Sequence, residues 1–223
     1  PLDQPRMPRP SFPAPAAWTL LWAALVAAAI LLRPLLPIDE TRYVSVAWEM
    51  WLRGDYFVPH LNGETYSHKP PLLFWLINAT WALFGVNDVT PRLVAPLFGL
   101  AALFLTARIA ARLWPGSNVG TVAPLLLIGS VFWALFTTLT MFDMLMTVWT
   151  LVGVHGLIDA WHGRTWRGWI QFVLAVGLGV LSKGPVILVY LLPIALAAPW
   201  WTRGSVRPRW GSWYARLAAS VLC

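Results

Sequence analysis

The sequence predicts an all-α polytopic membrane protein, and three observations support this. Hydrophobic residues make up 58% of the 223 residues and charged residues only 11%, against roughly 25% charged in an average soluble domain. The chain holds 16 Trp, a residue that gathers at membrane–water interfaces. Apolar stretches long enough to cross a bilayer also follow one another along the chain, with small basic groups between them.

The apolar stretches define the predicted organisation. Residues 1–13 form a Pro-rich tail that is unfavourable for a helix, and we expect it to be cytoplasmic. Residues 14–223 form the predicted transmembrane domain, with spans at about 14–36, 92–113, 119–138, 142–160, 168–182 and 185–202. The last apolar stretch, from 211, is shorter than the about 20 residues that a span needs, so we expect this domain to be truncated at its C-terminus.

The basic residues predict how these segments are oriented. Arg6 and Arg9 precede the first span, which assigns the N-terminus to the cytoplasm by the positive-inside rule. If the shorter apolar run at 72–86 also crossed the bilayer, the later basic groups would fall outside. If it lies along the interface, they fall inside: Arg108, Arg112, Arg164, Arg167, Arg203, Arg207 and Arg209. We therefore predict an interfacial helix at 72–86, whose length of about 15 residues is short for a span.

Two interfacial helices are predicted in the long outer loop, 37–91. Residues 40–53 place Tyr43, Val46, Ala47, Met50 and Trp51 on one helical stripe, as in an amphipathic helix on a membrane surface, with Gly54 ending it. The run 72–86 is the second helix. This topology places most of the acidic residues on the outer face.

Composition also excludes two classes. The net charge of +7 does not indicate nucleic-acid binding, because the Lys and Arg residues lie in small groups between apolar runs rather than along one face. The one Cys, Cys223, excludes a disulfide within this chain.

Acidic residues at the ends of spans are candidates for catalysis. Asp39 and Glu40 follow the first span, where their alternative role is to stabilise the start of the amphipathic helix. Asp143 interrupts the apolar stretch LFTTLTMFDMLMTVW. A lone acid at membrane depth is costly and indicates a functional site, although an acid in a loop between two helices is the alternative.

Two lysines accompany these acids. In YSHKPP, residues 66–71, Pro70 restricts Lys69 to an extended backbone, and a cation held beside the membrane surface suits a phosphate. Lys183, in VLSKGPV, is a second lone cation at an outer helix end. Both lysines could instead anchor their segments at the headgroups. His68 is a weak candidate for a metal ligand, since no partner at ligand spacing accompanies it.

These motifs together resemble the GT-C type of membrane glycosyltransferase, in the branch of lipid A aminoarabinose transferases and protein O-mannosyltransferase relatives. The resemblance rests on DETRY at 39–43, GDYFVPHLNG at 54–63, YSHKPP at 66–71, TMFDMLMT at 140–147 and GLGVLSKGPV at 177–186. It implies a long first outer loop with membrane-parallel helices and a sugar donor on a polyprenyl phosphate.

The resemblance also implies roles for the candidate residues. Asp39 and Asp143, with Glu40, would be the catalytic acids, and Lys69 would contact the donor phosphate. Arg42, Tyr66 and Lys183 complete the expected substrate-binding set. His68 stands where the aminoarabinose transferases usually have a Glu associated with a metal, so a divalent metal is left open as a cofactor.

The predicted function is transfer of a sugar, with inversion, from a polyprenyl phosphate to a lipid A-like or protein acceptor. The expected location is the bacterial inner membrane, as a multi-pass protein whose active site faces the periplasm. The expected partners are membrane lipids, the donor and the acceptor. A transporter or flippase of lipid-linked sugars is the alternative, since acids within spans also mark transport paths.

Overall fold

A computed structural model describes residues 14–201 and 209–222. Within these residues the fold is all-α, as predicted, apart from one short hairpin. The predictions for the tail at 1–13, including Arg6 and Arg9, lie outside the described residues, as do those for Arg203, Arg207 and Cys223.

The helices begin and end close to the predicted positions. In chain order they are α1 (Ala14–Leu32), α2 (Asp39–Arg53), α3 (Leu72–Phe84), α4 (Pro91–Leu113), α5 (Val119–Ile128), α6 (Val131–Thr138), α7 (Asp143–Trp161), α8 (Thr165–Lys183), α9 (Val186–Leu196), α10 (Ala198–Trp201) and α11 (Trp210–Leu222). Strands β1 (His60–Leu61) and β2 (Glu64–Thr65) pair antiparallel. Asn62 and Gly63 connect them with φ of 55° and 86°, as Asn-Gly favours.

Several helices have the length and composition of membrane spans. Among the described residues, α1 from Pro15, α4 and α7 are long and apolar enough to cross a bilayer. The chain is therefore a multi-pass membrane protein. Helix α8 also has 19 residues, but its first turn carries Trp166 and Arg167, which makes it less hydrophobic than α7.

The predicted span at 119–138 is not one straight helix. It consists of α5 and α6, which meet at an angle of 68°. The break falls at Gly129 and Ser130, where Ser130 has an extended backbone with ψ of 123° and glycine weakens the helix. Residues 119–138 thus form a bent pair of helices that together are long and apolar enough for one span, and their crossing of the bilayer stays a prediction.

Helices α7 and α8 run antiparallel along their whole length. Asp143, the first residue of α7, pairs with Lys183, the last residue of α8, at one end. Asp159, near the end of α7, lies beside Arg164, just before α8, at the other end. These two ends of the bundle are called the Asp143 end and the Asp159 end below. If α7 crosses the bilayer, α8 crosses it too.

Other contacts assign the remaining helices to the same two ends. At the Asp143 end, Arg92 at the start of α4 donates hydrogen bonds to the carbonyls of Ala29, Ile30 and Arg33 at 2.8, 3.2 and 2.7 Å. At the Asp159 end, Arg112 in the last turn of α4 pairs with Asp159. The chain from α9 to α10 joins the ends, since Trp201 packs against Trp161 with ring centroids 5.7 Å apart.

Helix α3 has both of its ends at the Asp143 end. Near its start, Phe74 packs on Phe142, with ring centroids 5.6 Å apart. Beyond its end, the chain reaches Arg92, which contacts the end of α1. Helix α2 covers α3, and Asn78 of α3 donates to the Ala47 carbonyl at 3.1 Å. This placement supports the predicted interfacial position of both helices, which stays a prediction.

Candidate active site

An ion pair between Asp143 and Lys183 is the first component of the candidate site. Lys183 Nζ lies 2.7 Å from Asp143 Oδ1, and the two side chains are only 25% and 33% exposed. Helix α8 ends directly after Lys183 because Gly184 adopts φ of 75°, which favours glycine. The backbone thus fixes both charges at adjoining helix termini.

This ion pair stands on the wall of an apolar groove between α6, α7 and α9. The groove has a volume of about 420 Å³. Besides the pair, Trp133, Met146, Thr147 and Tyr190 are among the residues that line it. A mostly apolar groove with one ion pair on its wall suits an amphiphilic ligand whose charged group lies beside that pair.

A second ion pair opens helix α2. Arg42 Nη2 donates to Asp39 Oδ1 at 2.5 Å, one helical turn apart. Ile38 occupies the N-cap position of α2, and no side chain makes a capping hydrogen bond there. Asp39 therefore does not cap the helix. Its side chain is half-exposed and pairs with Arg42 instead.

Aromatic side chains connect this second pair to the first. Arg42 lies over the ring of Tyr43, 5.4 Å from its centroid, and the Tyr43 ring contacts Phe142 edge-on at 5.0 Å. Phe142 directly precedes Asp143. Burial raises the pKa of Tyr43 and that of Tyr66, so both phenols keep their protons and stay hydrogen-bond donors.

The YSHKPP loop lies over the same aromatic side chains. Lys69 Nζ lies 5.9 Å from the centroid of the Phe142 ring, a cation–π distance. Tyr66 is buried against Phe74 at 6.2 Å, and the His68 ring stacks on Tyr66 at 5.4 Å. Phe142 therefore stands between Lys69 and the backbone that carries Asp143.

Glu40 differs from the other predicted catalytic residues because it is buried, with 1% exposure. Its oxygens accept hydrogen bonds from Arg33, from the Leu36 N–H at 2.8 Å and from the Thr140 N–H at 2.7 Å. Burial by itself raises the pKa of Glu40, but these donors bring it below its ordinary value. Glu40 thus ties the end of α1 and the start of α2 to the segment before α7.

Arg33 and Arg92 were not among the residues predicted for the site. Arg33 pairs with Glu40 and donates to the Thr138 carbonyl at 2.8 Å. Arg92 holds the end of α1 through the carbonyls described above. One signal was available for Arg33, since a lone Arg at the outer end of the first span departs from the positive-inside pattern.

The described residues do not fit a metal centre made of protein ligands alone. Among residues 14–201 and 209–222, no group of three or more His, Cys, Asp or Glu side chains is placed to hold a metal ion. The His68 ring is stacked on Tyr66 instead.

At the Asp143 end, three of the cations and two of the carboxylates are not held in the buried contacts of Glu40, Arg33 and Arg92. Lys69, Lys183 and Arg42 supply positive charge for an anionic group, and Asp39 and Asp143 supply carboxylates that could accept a proton. Each carboxylate already pairs with a cation, so a second anion at this site would compete for the cations.

Comparison with protein families gives one match over most of the chain. The family model described as "Dolichyl-phosphate-mannose-protein mannosyltransferase" matches residues 68–223. An "Undecaprenyl phosphate-alpha-4-amino-4-deoxy-L-arabinose arabinosyl transferase 1" of Pseudomonas fluorescens is 31% identical over 192 residues, which is 83% of this chain and 32% of that protein. A transferase of the same description from Pseudomonas aeruginosa is 32% identical, over 83% of this chain and 34% of that protein.

Two crystal structures share the fold. ArnT from Cupriavidus metallidurans in the apo state superposes with a TM-score of 0.69 at 24% identity, covering 94% of this chain and 40% of that one. The same protein bound to undecaprenyl phosphate gives a TM-score of 0.66 over 93% of this chain and 40% of that one. The fold is therefore a GT-C-like transmembrane bundle. The chain spans about a third of the length of the curated relatives it matches.

Proposed function

The chain belongs to the dolichyl-phosphate-mannose-protein mannosyltransferase family, and on this premise we propose that it forms the membrane-embedded catalytic part of a glycosyltransferase. The donor is a sugar carried on a polyprenyl phosphate. The observation that supports this most directly is the Asp143–Lys183 pair on the wall of an apolar groove, with Lys69 next to it across Phe142.

The proposed reaction is a single displacement at the anomeric carbon of the sugar. An acceptor oxygen forms a bond to this carbon while the bond from the carbon to the donor phosphate oxygen breaks. The polyprenyl phosphate leaves with the electron pair, and a hydroxyl acceptor gives its proton to a carboxylate. Attack from the side opposite the phosphate inverts the anomeric configuration.

The cations at the Asp143 end would stabilise the leaving phosphate. Lys183 stands on the groove wall, where a polyprenyl chain would lie, and Lys69 and Arg42 would reach the phosphate from the outer loop. Preorganised positive charge acts on the negative charge that develops in the transition state, in a site shielded from water. We assign Tyr66 to substrate binding because its ring packs against His68 and Phe74 in the loop that carries Lys69.

The carboxylates would act on the acceptor. When the donor phosphate takes Lys183 as its partner, Asp143 loses its ion pair and becomes available to accept or orient the acceptor proton. Asp39 would likewise lose its ion pair when the donor phosphate takes Arg42 as its partner. Glu40, with its oxygens already held by Arg33 and two backbone N–H groups, is proposed as a positioning residue rather than a catalytic one.

The identities of the sugar and of the acceptor are proposed by analogy with the relatives. The similar proteins of Pseudomonas are named as transferases of 4-amino-4-deoxy-L-arabinose from undecaprenyl phosphate, and we propose a donor of this class. The acceptor is a lipid of the lipid A type or a protein. The Asp143 end faces the extracytoplasmic side of the bacterial inner membrane, consistent with its outer loop of interfacial helices.

The transporter alternative receives no support from the relatives reported above, which are transferases. A transporter would place its charged groups near the middle of several spans. Here Asp143 and Lys183 are the first and last residues of their helices.

A transfer assay tests this proposal. Purified full-length protein in lipid nanodiscs would receive undecaprenyl phosphate-linked 4-amino-4-deoxy-L-arabinose and a lipid A precursor. Mass spectrometry should detect the glycosylated acceptor and free undecaprenyl phosphate in equal amounts. Movement of the intact donor across a vesicle membrane, without loss of its sugar to any lipid or protein acceptor, would overturn the assignment in favour of a transporter.

A further inference from the structure

A second cluster of charged side chains lies at the Asp159 end, opposite the candidate active site. Asp159 is buried, with 2% exposure. Its Oδ1 accepts from Arg112 Nη1 at 2.5 Å and lies 3.5 Å from Arg164 Nη1. His155 Nδ1 is 3.8 Å from the other carboxylate oxygen. The transfer reaction proposed above uses none of these residues.

This cluster lines a polar cavity that adjoins an apolar groove. The polar cavity, of about 220 Å³, is lined by Arg112, Asp159, His162 and Arg164. The groove, of about 520 Å³, shares Arg112 and His162 with it and continues along Leu157, Trp161, Ile194 and Trp201. A polar cavity next to an apolar groove suits an amphiphilic lipid, whose headgroup would lie in the cavity and whose acyl chain would lie in the groove.

The charge of the cluster favours an anion. Asp159 is the sole acid among the described residues that line the two cavities, and it faces two guanidinium groups. The lining therefore carries a net positive charge even with His162 neutral. Arg164, whose side chain is 60% exposed, is placed to reach a group at the membrane surface.

We propose that this site binds one anionic phospholipid of the cytoplasmic leaflet. Its phosphate lies against Arg112 and Arg164, and an acyl chain lies in the groove beside Trp161 and Trp201. Basic pockets between spans on the cytoplasmic side suit anionic headgroups, and Trp favours the interface. The inference depends on the proposed topology and not on the sugar-transfer reaction.

Native mass spectrometry of the full-length, delipidated protein tests the site. The protein is titrated with phosphatidylglycerol and with phosphatidylcholine of the same acyl chains. We expect phosphatidylglycerol to bind about fivefold more tightly. Arg164→Gln should remove most of this preference for phosphatidylglycerol. We expect this variant to fold, because Asp159 keeps its ion pair with Arg112, which is closer to it than Arg164 is.

Arg167→Gln is the matched control, because Arg167 is exposed and lies one turn further along α8. It should leave the preference unchanged. Three results would overturn the proposal: equal binding of the two lipids, an equal loss in both Arg variants, or displacement of the lipid by soluble glycerol phosphate at the same concentration. The last result would indicate a site for a soluble phosphate.

Discussion

The ammonium group of Lys183 lies 2.7 Å from the carboxylate of Asp143, although 40 residues separate the two in the chain. The pair closes the α7–α8 hairpin at one end and stands on the wall of an apolar groove. Each residue neutralises the other in the absence of a ligand. In the proposed reaction, a phosphate that binds Lys183 would release the Asp143 carboxylate, and donor binding would thereby be coupled to proton acceptance.

We predict that this pair acts as a unit in catalysis. Asp143→Asn and Lys183→Met should each lower the rate of sugar transfer by about 100-fold or more, since each removes a charge needed in the transition state. The double variant should be little worse than either single variant, because effects within a coupled unit are not additive. The measurement is the transfer assay at saturating donor.

The charge-exchanged variant, Asp143→Lys with Lys183→Asp, separates catalysis from structure. It restores an ion pair at the same place but exchanges the position of base and cation. We expect it to recover thermal stability and to remain inactive. Recovery of transfer in this variant would show that the pair serves only to hold α7 against α8.

Lys69 should contribute through its charge. Lys69→Glu should abolish detectable transfer while the protein remains in the membrane fraction, because a carboxylate repels the donor phosphate. Lys69→Arg keeps the charge and should retain transfer within about tenfold of the wild type. Arg53→Gln, which removes an exposed cation of the same outer loop, is the control and should leave the rate unchanged. Full activity in Lys69→Glu would contradict the assigned role.

Glu40 should affect folding more than chemistry. Glu40→Ala leaves Arg33 and the N–H groups of Leu36 and Thr140 without their acceptor, which should destabilise the fold by about 2 to 4 kcal/mol. Glu49→Ala is the control: Glu49, in the same helix, accepts from the N–H groups of Asn62 and Gly63 but is less buried than Glu40, so its loss should cost less. Thermal unfolding in detergent measures both.

The dependence of folding stability on pH should also report the contribution of Glu40. The pKa of Glu40 is lowered in the folded protein, so its contribution is fully present above the ordinary pKa of a glutamate. It is lost as the pH falls through the lowered value. Glu40→Gln should weaken this loss as the pH falls below about 4.5, the ordinary value, and an unchanged acid profile would contradict the assigned contacts of the buried carboxylate.

The contact between α7 and α8 should depend on two glycines. A Cβ at Gly168 would stand 2.4 Å from the backbone nitrogen of Ala160 and from the Gly156 carbonyl oxygen. Such close approach needs small residues. Gly168→Ala should therefore destabilise the protein by about 1 to 3 kcal/mol. Gly177→Ala, in the same helix with nothing within 4 Å, should be neutral or slightly stabilising, and equal effects in both would contradict this packing.

Much of the fold could be predicted from the sequence because membrane segments obey simple rules. The apolar runs located the helices, and Gly54 marked the end of α2. The break between α5 and α6 could not be predicted, since Gly129 and Ser130 carry no strong signal in an apolar stretch.

The sequence indicated candidate site residues, whose role in catalysis stays a prediction, but it did not indicate the contacts between them. Lone charges in apolar surroundings identified Asp143, Lys69 and Lys183. Their pairing could not be predicted, because it depends on the antiparallel packing of α7 and α8. The contacts of Glu40 could not be predicted either, because its partners come from the segment after α1 and from the segment before α7.

The topology of α3 is tested most directly by cysteine labelling. Single cysteines at Ser67, Met141 and Gly163, in the full-length protein without its other cysteines, are exposed to a membrane-impermeant maleimide in spheroplasts. We predict that positions 67 and 141, next to Lys69 and Asp143, are labelled in intact spheroplasts and that position 163 is labelled only after permeabilisation. If positions 67 and 141 are labelled from opposite sides, α3 crosses the bilayer and the proposed active site does not exist.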